Sequence, residues 1–485
     1  MANVLSGKHK LKAWEALALS VALMAPTLAM AMNGVGVSAL VGKAVPLVFV
    51  LGFIGVALVA YGFIRLTRHF NHAGSVYALA GATIGPRAGF FGGFALVGTY
   101  IFFAASTLAS AGVFANAFLD ELGWNWRISW LLAAAVTAAI VIALNTRESR
   151  VVARTIIAIE LVGIVCMLIL AVVIVARTGS GTAPQHQTLD WSAFTAGGHS
   201  MGTLMTATVF AFLSWAGFEA CAALGEETDN PRRNIPGGLI GALAITGVLY
   251  IFVMFAQTIG FGTGASGISG FSSSQYSLVD LGKDYVGTAL GLILSFSAFI
   301  SSVASALGST TAGSRLVFAL ARDGFGPKQL ARTSGSTGSP VPAVWTVAIL
   351  AFVPCFVLWL KGSDPFDVYY WTATLGVLAL LIVYAVAGVG VIVFTFRGTA
   401  RIPKWEIIVP AVAIVYLIYV FYKQSTGQVA PYSVFPYVAG AWCLIGLLIV
   451  LIKPGMARRI GAHLAAELSA GADADAEAVE PVAAR

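Results

Sequence analysis

The sequence predicts an all-α polytopic membrane protein of about twelve transmembrane helices, on three observations. Composition is the first: of 485 residues, 58% are hydrophobic and only 10% charged, whereas a soluble globular chain is about a quarter charged. The second is a series of apolar runs of ~20 residues or more, each long enough to cross the hydrocarbon core of a bilayer. They lie near residues 14–33, 44–66, 88–118, 127–145, 153–176, 200–222, 237–261, 285–308, 342–360, 368–396, 406–422 and 433–452. The third is where the cations fall. With both termini cytoplasmic, the inside segments hold 22 of the 28 lysines and arginines and leave Lys43, Arg127, Arg177, Lys283, Lys361 and Lys423 outside. That asymmetry selects one topology. The formal charge of +7 is a topology signal and does not imply a nucleic-acid partner.

The first run raises a question of its own. Residues 1–31 imitate a secretory signal, with Lys8, Lys10 and Lys12, an apolar stretch and Ala29-Met30-Ala31 as a cleavage-like site. Removing this run would leave an odd number of spans and upset the charge pattern, so it is expected to stay as span one. In the next loops the charge excess rests on Arg65, Arg68, Arg87, Arg147, Arg150 and Arg154. The outside segments 177–199 and 262–284 are rich in Gly, Ser and Thr and are expected to be loops. Four cysteines, Cys166, Cys221, Cys355 and Cys443, stand singly in or beside apolar runs. They have no metal spacing and form no disulfide framework. No cofactor and no metal are expected.

Two spans differ from the rest. Span one carries Met24-Ala25-Pro26-Thr27 at mid-depth, and span six carries Ser214-Trp215-Ala216-Gly217. Proline removes a helical hydrogen bond and clashes with the preceding turn, and glycine beside small residues weakens a helix. Matching interruptions five spans apart point to two five-span repeats, which an odd number of spans makes inverted in topology. The expected organisation is a cytoplasmic segment 1–12 and a membrane domain 13–455. That domain holds repeats at about 13–176 and 200–396 and extra helices at about 406–452. The tail 456–485, rich in Ala, Glu and Asp, is expected to be disordered or weakly helical.

Unpaired backbone groups survive in lipid only where they face protein, water or a ligand. A break in span one leaves a helix N-terminus near Thr27, whose N–H groups and positive dipole end suit a carboxylate. A break in span six leaves carbonyls of Phe210, Ala211 and Leu213 at a helix C-terminus, which suit an ammonium group. Together they suit a zwitterion, which favours an amino acid over a sugar. The plainer alternative for Pro26 alone is a kinked helix without a ligand, and for Trp215 a packing aromatic. Tyr100 in span three is a weaker substrate candidate, since tyrosine often serves as a core residue.

Two carboxylates lie well inside spans. Glu160 sits about 12 Å deep in span five at 1.5 Å per residue, where it is a candidate proton carrier or, alternatively, a partner of a neighbouring hydroxyl or of Arg154. Glu219 is shallower, and a gating or structural role suits it better than proton transfer. Ser301, Ser302 and Ser305 in span eight offer hard oxygens that sodium would want, although serines are also common packing residues in membranes.

These residues resemble the amino acid–polyamine–organocation superfamily of permeases. Gly217-Phe218-Glu219, followed by Glu226-Glu227-Thr228-Asp229-Asn230-Pro231-Arg232-Arg233-Asn234-Ile235-Pro236, is similar to that family's sixth span and following loop. His72-Ala73-Gly74-Ser75-Val76-Tyr77 resembles its segment after span two, with His72 in place of a proline. Ser314-Arg315 with Ala321-Arg322-Asp323-Gly324 resembles the loop after span eight. The resemblance covers about 13–455. It implies a LeuT-like five-plus-five inverted repeat with two C-terminal helices, a central site between spans one, three, six and eight, and alternating access. Ala25, Pro26 and Thr27 fall where the family unwinds span one, but they replace its glycine-rich break. Ser214, Trp215, Ala216 and Gly217 fall in the span-six break. Some relatives carry a lysine near the position of Glu160, and its charge replaces sodium.

The expected function is therefore a secondary active permease that carries amino acids or related small amines inward with protons, in the plasma membrane of a bacterium. Sodium coupling is the lesser alternative. An amino acid/amine exchanger would use the same architecture, and a non-transporting sensor is disfavoured by the short cytoplasmic loops. An enzyme is disfavoured too, for lack of an intramembrane metal cluster, a paired-aspartate motif or a nucleophile–base set.

Overall fold

Pro26 has no N–H to lose, so it fits the first position of a helix. In the computed structural model helix α1 starts there and runs Pro26–Val41. The structure describes residues 12, 14, 17, 18, 20, 21, 24–69, 76–146, 150–219, 228–335, 338–397 and 402–462, with the side chains of 150–156 left aside. The segment 1–11, Arg147, His72 to Ser75, Cys221, Glu226, Glu227, Arg401 and residues 463–485 lie outside that set.

A 3-10 turn at Gly42–Ala44 carries α1 directly into α2, Val45–Thr67. Then follow α3 (Val76–Thr83), α4 (Pro86–Glu121), α5 (Trp130–Thr146), α6 (Arg150–Gly179) and α7 (Met201–Trp215). The second half holds α8 (Pro231–Phe261), α9 (Ala265–Ser273), α10 (Ser277–Tyr285), α11 (Thr288–Arg322), α12 (Val341–Leu360) and α13 (Pro365–Phe396), before α14 (Ile408–Ser425) and α15 (Phe435–Ile452). Proline stands in the first turn of α1, α2, α4, α8, α12, α13 and α15, where it costs no helical hydrogen bond, and Pro236 of α8 and Pro354 of α12 stand further inside. Among the described residues nine helical runs are long and apolar enough to cross a membrane, Trp130–Thr146 and Met201–Trp215 are shorter apolar helices, and no β-strand occurs. The chain is an all-helical, polytopic membrane protein.

Several boundaries differ from the sequence expectation, the most in span eight, expected to end near 308, where α11 runs on to Arg322 and takes in Ser314 and Arg315 of the expected loop. Span one was expected to end near 33, yet α1 continues to Val41. The polar Asn33 is satisfied inside the bundle, so the helix can pass through it: its Nδ2 donates to Ser214 Oγ (2.8 Å) and its Oδ1 accepts from Tyr369 (2.8 Å). The segment 262–284 was expected to be loop but carries α9 and α10. Ser277 ties α10 to α1 by donating to the Ala31 carbonyl (3.0 Å) and to Gln257 Oε1 (2.8 Å). Residues 454–462 are helical, and Met456, Ala457 and Ile460 are buried. The apolar pair Met456 and Ile460, four apart, lies on one helix face, so this first part of the expected tail is docked.

Helix α4 packs between α11 and α13, while α1 packs on α7 and α11 and touches α6, α8, α9 and α10. Helices α14 and α15 lean on α13, and α14 reaches α2 and α7. Gly52 lets α2 approach α7, because a Cβ there would stand 2.6 Å from the Ala211 Cβ. Outside the spans, Lys43 Nζ contacts Ser192 Oγ (2.7 Å) and Asp190 Oδ2 (3.5 Å). The Ser192 hydroxyl, helped by Thr263 and the Lys43 charge, holds the Asp190 carboxyl down to about 2. Cys166, Cys355 and Cys443 are free thiols.

Candidate functional site

Two helix ends meet inside the bundle. At the first, Ala25 takes a left-handed conformation (φ 47°, ψ 62°) and caps α1 without a side-chain bond. Four N–H groups at a helix start lack intrahelical partners. Within the helix itself Pro26 has no N–H, and Ala29 N–H makes the first regular helical bond, to the Ala25 carbonyl (2.9 Å). Thr27 and Leu28 are left. Both are filled from within the protein: Thr27 N–H donates to Glu160 Oε1 (2.9 Å), and Leu28 N–H to Ser301 Oγ (3.2 Å). The N–H groups that suit a substrate carboxylate are thus held by α6 and α11.

At the second end, α7 stops at Trp215. Ala216 is extended (ψ 129°), and Gly217 has φ 96°, a conformation that glycine adopts without cost and other residues resist. The Leu213 carbonyl accepts Ala216 N–H (3.2 Å), and the Phe210 carbonyl accepts the Ser214 hydroxyl (3.3 Å). Ala211 packs toward Gly52 of α2. Ser20 ties the two interruptions together, its hydroxyl donating to the Phe218 carbonyl (3.3 Å).

Trp215 is fully buried, with Phe49, Phe53 and Tyr250 around it at ring separations of 5.9, 5.7 and 5.2 Å. Its indole N–H donates to Thr246 Oγ1 (3.2 Å). Of the span-eight serines, Ser301 caps α1, and Ser302 accepts from Ser110 (3.1 Å) while donating to the Ala298 carbonyl (2.9 Å). Ser305 is half-buried one turn further along α11. Tyr100 on α4 lies elsewhere, within electrostatic reach of Glu219 and beside Gly313 of α11.

A pocket of polar atoms surrounds Glu160. Its Oε2 and the Ser297 and Tyr250 hydroxyls are buried without a hydrogen-bond partner, and the Thr27 and Ser301 hydroxyls face its carboxyl. Gly163, one turn along α6, marks the convergence: a Cβ there would lie 2.5 Å from Thr27 Oγ1 and 3.0 Å from Ser297 Cβ. Glu160 makes no salt bridge among the described residues, and the side chain of Arg154, its sequence-based alternative partner, is outside them. No group of three or more His, Cys, Asp or Glu residues suited to a metal occurs among the described residues.

Residues that sequence patterning passed over hold the two ends in place. The Tyr370 hydroxyl donates to the Met32 carbonyl and accepts Gly36 N–H (3.1 Å), and Gln257 Nε2 donates to the Met30 carbonyl (2.9 Å). Polar residues inside otherwise apolar runs, Asn33 and Gln257 above all, were the available signal. At the other interruption Tyr384 donates to Glu219 Oε2 (3.0 Å), with Phe63 edge-on to both Phe218 and Tyr384. Tyr384→Phe leaves a buried carboxyl oxygen without its donor and is expected to cost about 1–3 kcal/mol, read as a lower melting temperature. A double-mutant cycle with Glu219→Gln checks the pairing. Fully additive effects would mean that the bond contributes nothing.

A family model described as "Amino acid permease" matches residues 11–449. Similar curated proteins include the branched-chain amino acid permease BcaP of Lactococcus lactis subsp. cremoris (strain MG1363), 25% identical over 464 residues, covering 89% of this chain and 92% of that one. The low-affinity putrescine importer PlaP of Escherichia coli (strain K12) is 26% identical over 295 residues, 60% of this chain and 62% of the importer. The methylthioribose transporter of Bacillus subtilis (strain 168) is 28% identical over 332 residues, 64% of this chain and 66% of that one.

Proposed function

The chain belongs to the amino acid permease family, and from that premise we propose that it is a secondary active permease that carries amino acids or related small amines inward, coupled to protons. It works by alternating access, from two five-span repeats of inverted topology at about 13–176 and 200–396. Both termini are cytoplasmic, and the membrane is a bacterial inner membrane. One observation carries this reading: a helix start and a helix end lie side by side within the apolar bundle, α1 beginning at Pro26 and α7 ending at Trp215, with Ser20 bonded to Phe218 beside them. Interrupted helices at mid-membrane place polar backbone ends where a small zwitterion or ammonium group needs them. Glu160, buried and within one hydrogen bond of the first end, is the proton carrier in this scheme. The names of the relatives, one an amino acid permease and one a putrescine importer, support both substrate classes.

An exchanger would use the same parts, so the deciding experiment varies the driving force. The protein in proteoliposomes is offered labelled amino acids and amines under a proton gradient, a sodium gradient or neither. The expected result is accumulation driven by the proton gradient. Movement only when substrate is preloaded on the opposite side would make it an exchanger, and accumulation driven by sodium alone would remove the proton from the mechanism.

A further inference from the structure

The helix end that ought to greet a substrate carboxylate already holds a carboxylate of the protein's own. We propose that Glu160 is a tethered competitor for that place, so that a substrate carboxylate takes the Thr27 N–H only as Glu160 leaves it and accepts a proton. This rests on the permease reading and adds the step that joins substrate to proton.

The argument is steric and electrostatic. Pro26 contributes no N–H, so the donors free at the start of α1 are those of Thr27 and Leu28, and both are occupied by Glu160 Oε1 and Ser301 Oγ. A second carboxylate arriving beside an ionised Glu160 meets a like charge in a poorly screened interior, where two carboxylates sharing a site do not both stay ionised. Among the described residues no cation forms an ion pair with Glu160. The groups facing Glu160 are the Thr27 hydroxyl from α1, Ser297 and Ser301 from α11 and Tyr250 from α8. Helix α10 meets α6 at its opposite end, where Arg177 Nη1 donates to the Tyr285 carbonyl (2.7 Å), so Asp280, Lys283 and Asp284 of α10 belong to that end.

The neutral form, by contrast, is provided for. A protonated Glu160 has a new O–H to place, and the hydroxyls of Ser297 and Tyr250, on the helices packed around it, are buried with no partner of their own. The proton forms an O–H bond on the Glu160 carboxyl, the Thr27 N–H passes from Glu160 Oε1 to the substrate carboxylate, and no covalent bond to the substrate forms or breaks. Discharge of the substrate on the other side returns Glu160 to Thr27 and releases the proton.

The test measures binding by thermal stabilisation of the purified full chain, so turnover does not enter. The probes are each of the twenty standard amino acids and, for those with one, the amine that remains when the carboxylate is removed. For the amino acids that bind, affinity is expected to rise by up to about tenfold per pH unit as pH falls from about 8 to about 5.5, while the matching amines lack that rise. Glu160→Gln keeps an acceptor for the Thr27 N–H and is expected to flatten the amino acid profile. Glu160→Asp restores a titrating group and is expected to retain a slope. A flat amino acid profile in the unaltered chain overturns the proposal, as does an equal slope for the amines or a slope that survives in Glu160→Gln. Binding of amines alone overturns it too, because Glu160 would then be a counter-ion for the substrate ammonium. Each of these can occur in a protein that transports, whereas absence of uptake across the panel would strike the permease reading itself.

Discussion

Gly217→Leu is expected to reduce uptake to background while the protein still reaches the membrane. Gly217 sits one residue beyond the extended Ala216 with φ 96°, where an L-residue pays roughly 1–2 kcal/mol for the backbone alone. A leucine also brings four carbon atoms into a turn flanked by the fully buried Trp215 and Phe218. The chain's simplest escape is to extend α7 through the turn. That would draw Phe218 away from the Ser20 hydroxyl and Glu219 away from Tyr384, and would close the interruption that a central site needs. Uptake normalised to protein in the membrane is the measurement, with Gly217→Ala as a graded control that carries the backbone cost but little bulk. Roughly tenfold loss is expected for alanine, from the same 1–2 kcal/mol. Uptake at the unaltered rate by the leucine variant would remove this turn from the transport route.

Gly217 and Pro26 also show what was legible in the sequence. Both act through backbone chemistry that any neighbourhood must respect: one has no N–H, the other tolerates positive φ. Apolar run length likewise made the membrane class plain. The partners were not legible. Nothing in the local pattern of α6 says that Glu160 reaches a helix start 133 residues earlier in the chain. Nor does the run Val368-Tyr369-Tyr370 announce that its two hydroxyls meet Asn33 and the Met32 carbonyl. In an apolar helix the lipid-facing and protein-facing sides are alike in composition, so the period that reveals the buried face of a soluble helix is absent. Asn33 is instructive, since only its distant partners Ser214 and Tyr369 let a polar side chain sit within a helix that runs on to Val41.

Seen together, these bonds make α13 a strut that serves both interruptions. Tyr369 and Tyr370 near its start hold α1, and Tyr384, about 20 Å further along at 1.5 Å per residue, holds Glu219 just past the end of α7. A motion that separates α1 from α7 must break bonds at one end of α13 or carry α13 with it. The two ends are chemically unlike: neutral tyrosines on an amide and a carbonyl at one, a tyrosine on a carboxyl at the other. The carboxyl bond is the one open to change by protonation.

Trp215→Ala is expected to be the most destabilising of the substitutions considered. The side chain has no exposed surface and is boxed by Phe49 and Phe53 of α2 and Tyr250 of α8, while its N–H is spent on Thr246, whose own hydroxyl donates to the Ala242 carbonyl (2.7 Å). Truncating a buried tryptophan costs about 3–5 kcal/mol in soluble proteins. In a membrane the transfer part of that cost is smaller, because the unassembled helix already sits in lipid, but the lost packing remains. The expected value is therefore near the lower end, about 3 kcal/mol. It should appear as a marked fall in melting temperature and in the amount of folded protein, with the order of preferred substrates unchanged. Trp215→Phe separates the contributions, since it keeps most of the ring contacts and gives up the bond to Thr246, and should lose about 1 kcal/mol for that bond. The opposite pattern, full stability with a reordered substrate list, would mean that the indole leaves its aromatic box to meet the substrate during transport. Tyr250 makes this more than a question of packing: it borders Trp215 on one side and carries, toward Glu160, one of the unpartnered hydroxyls. Loosening the box should therefore also disturb the pH profile of amino acid binding, and Trp215→Phe, which keeps the box, should not.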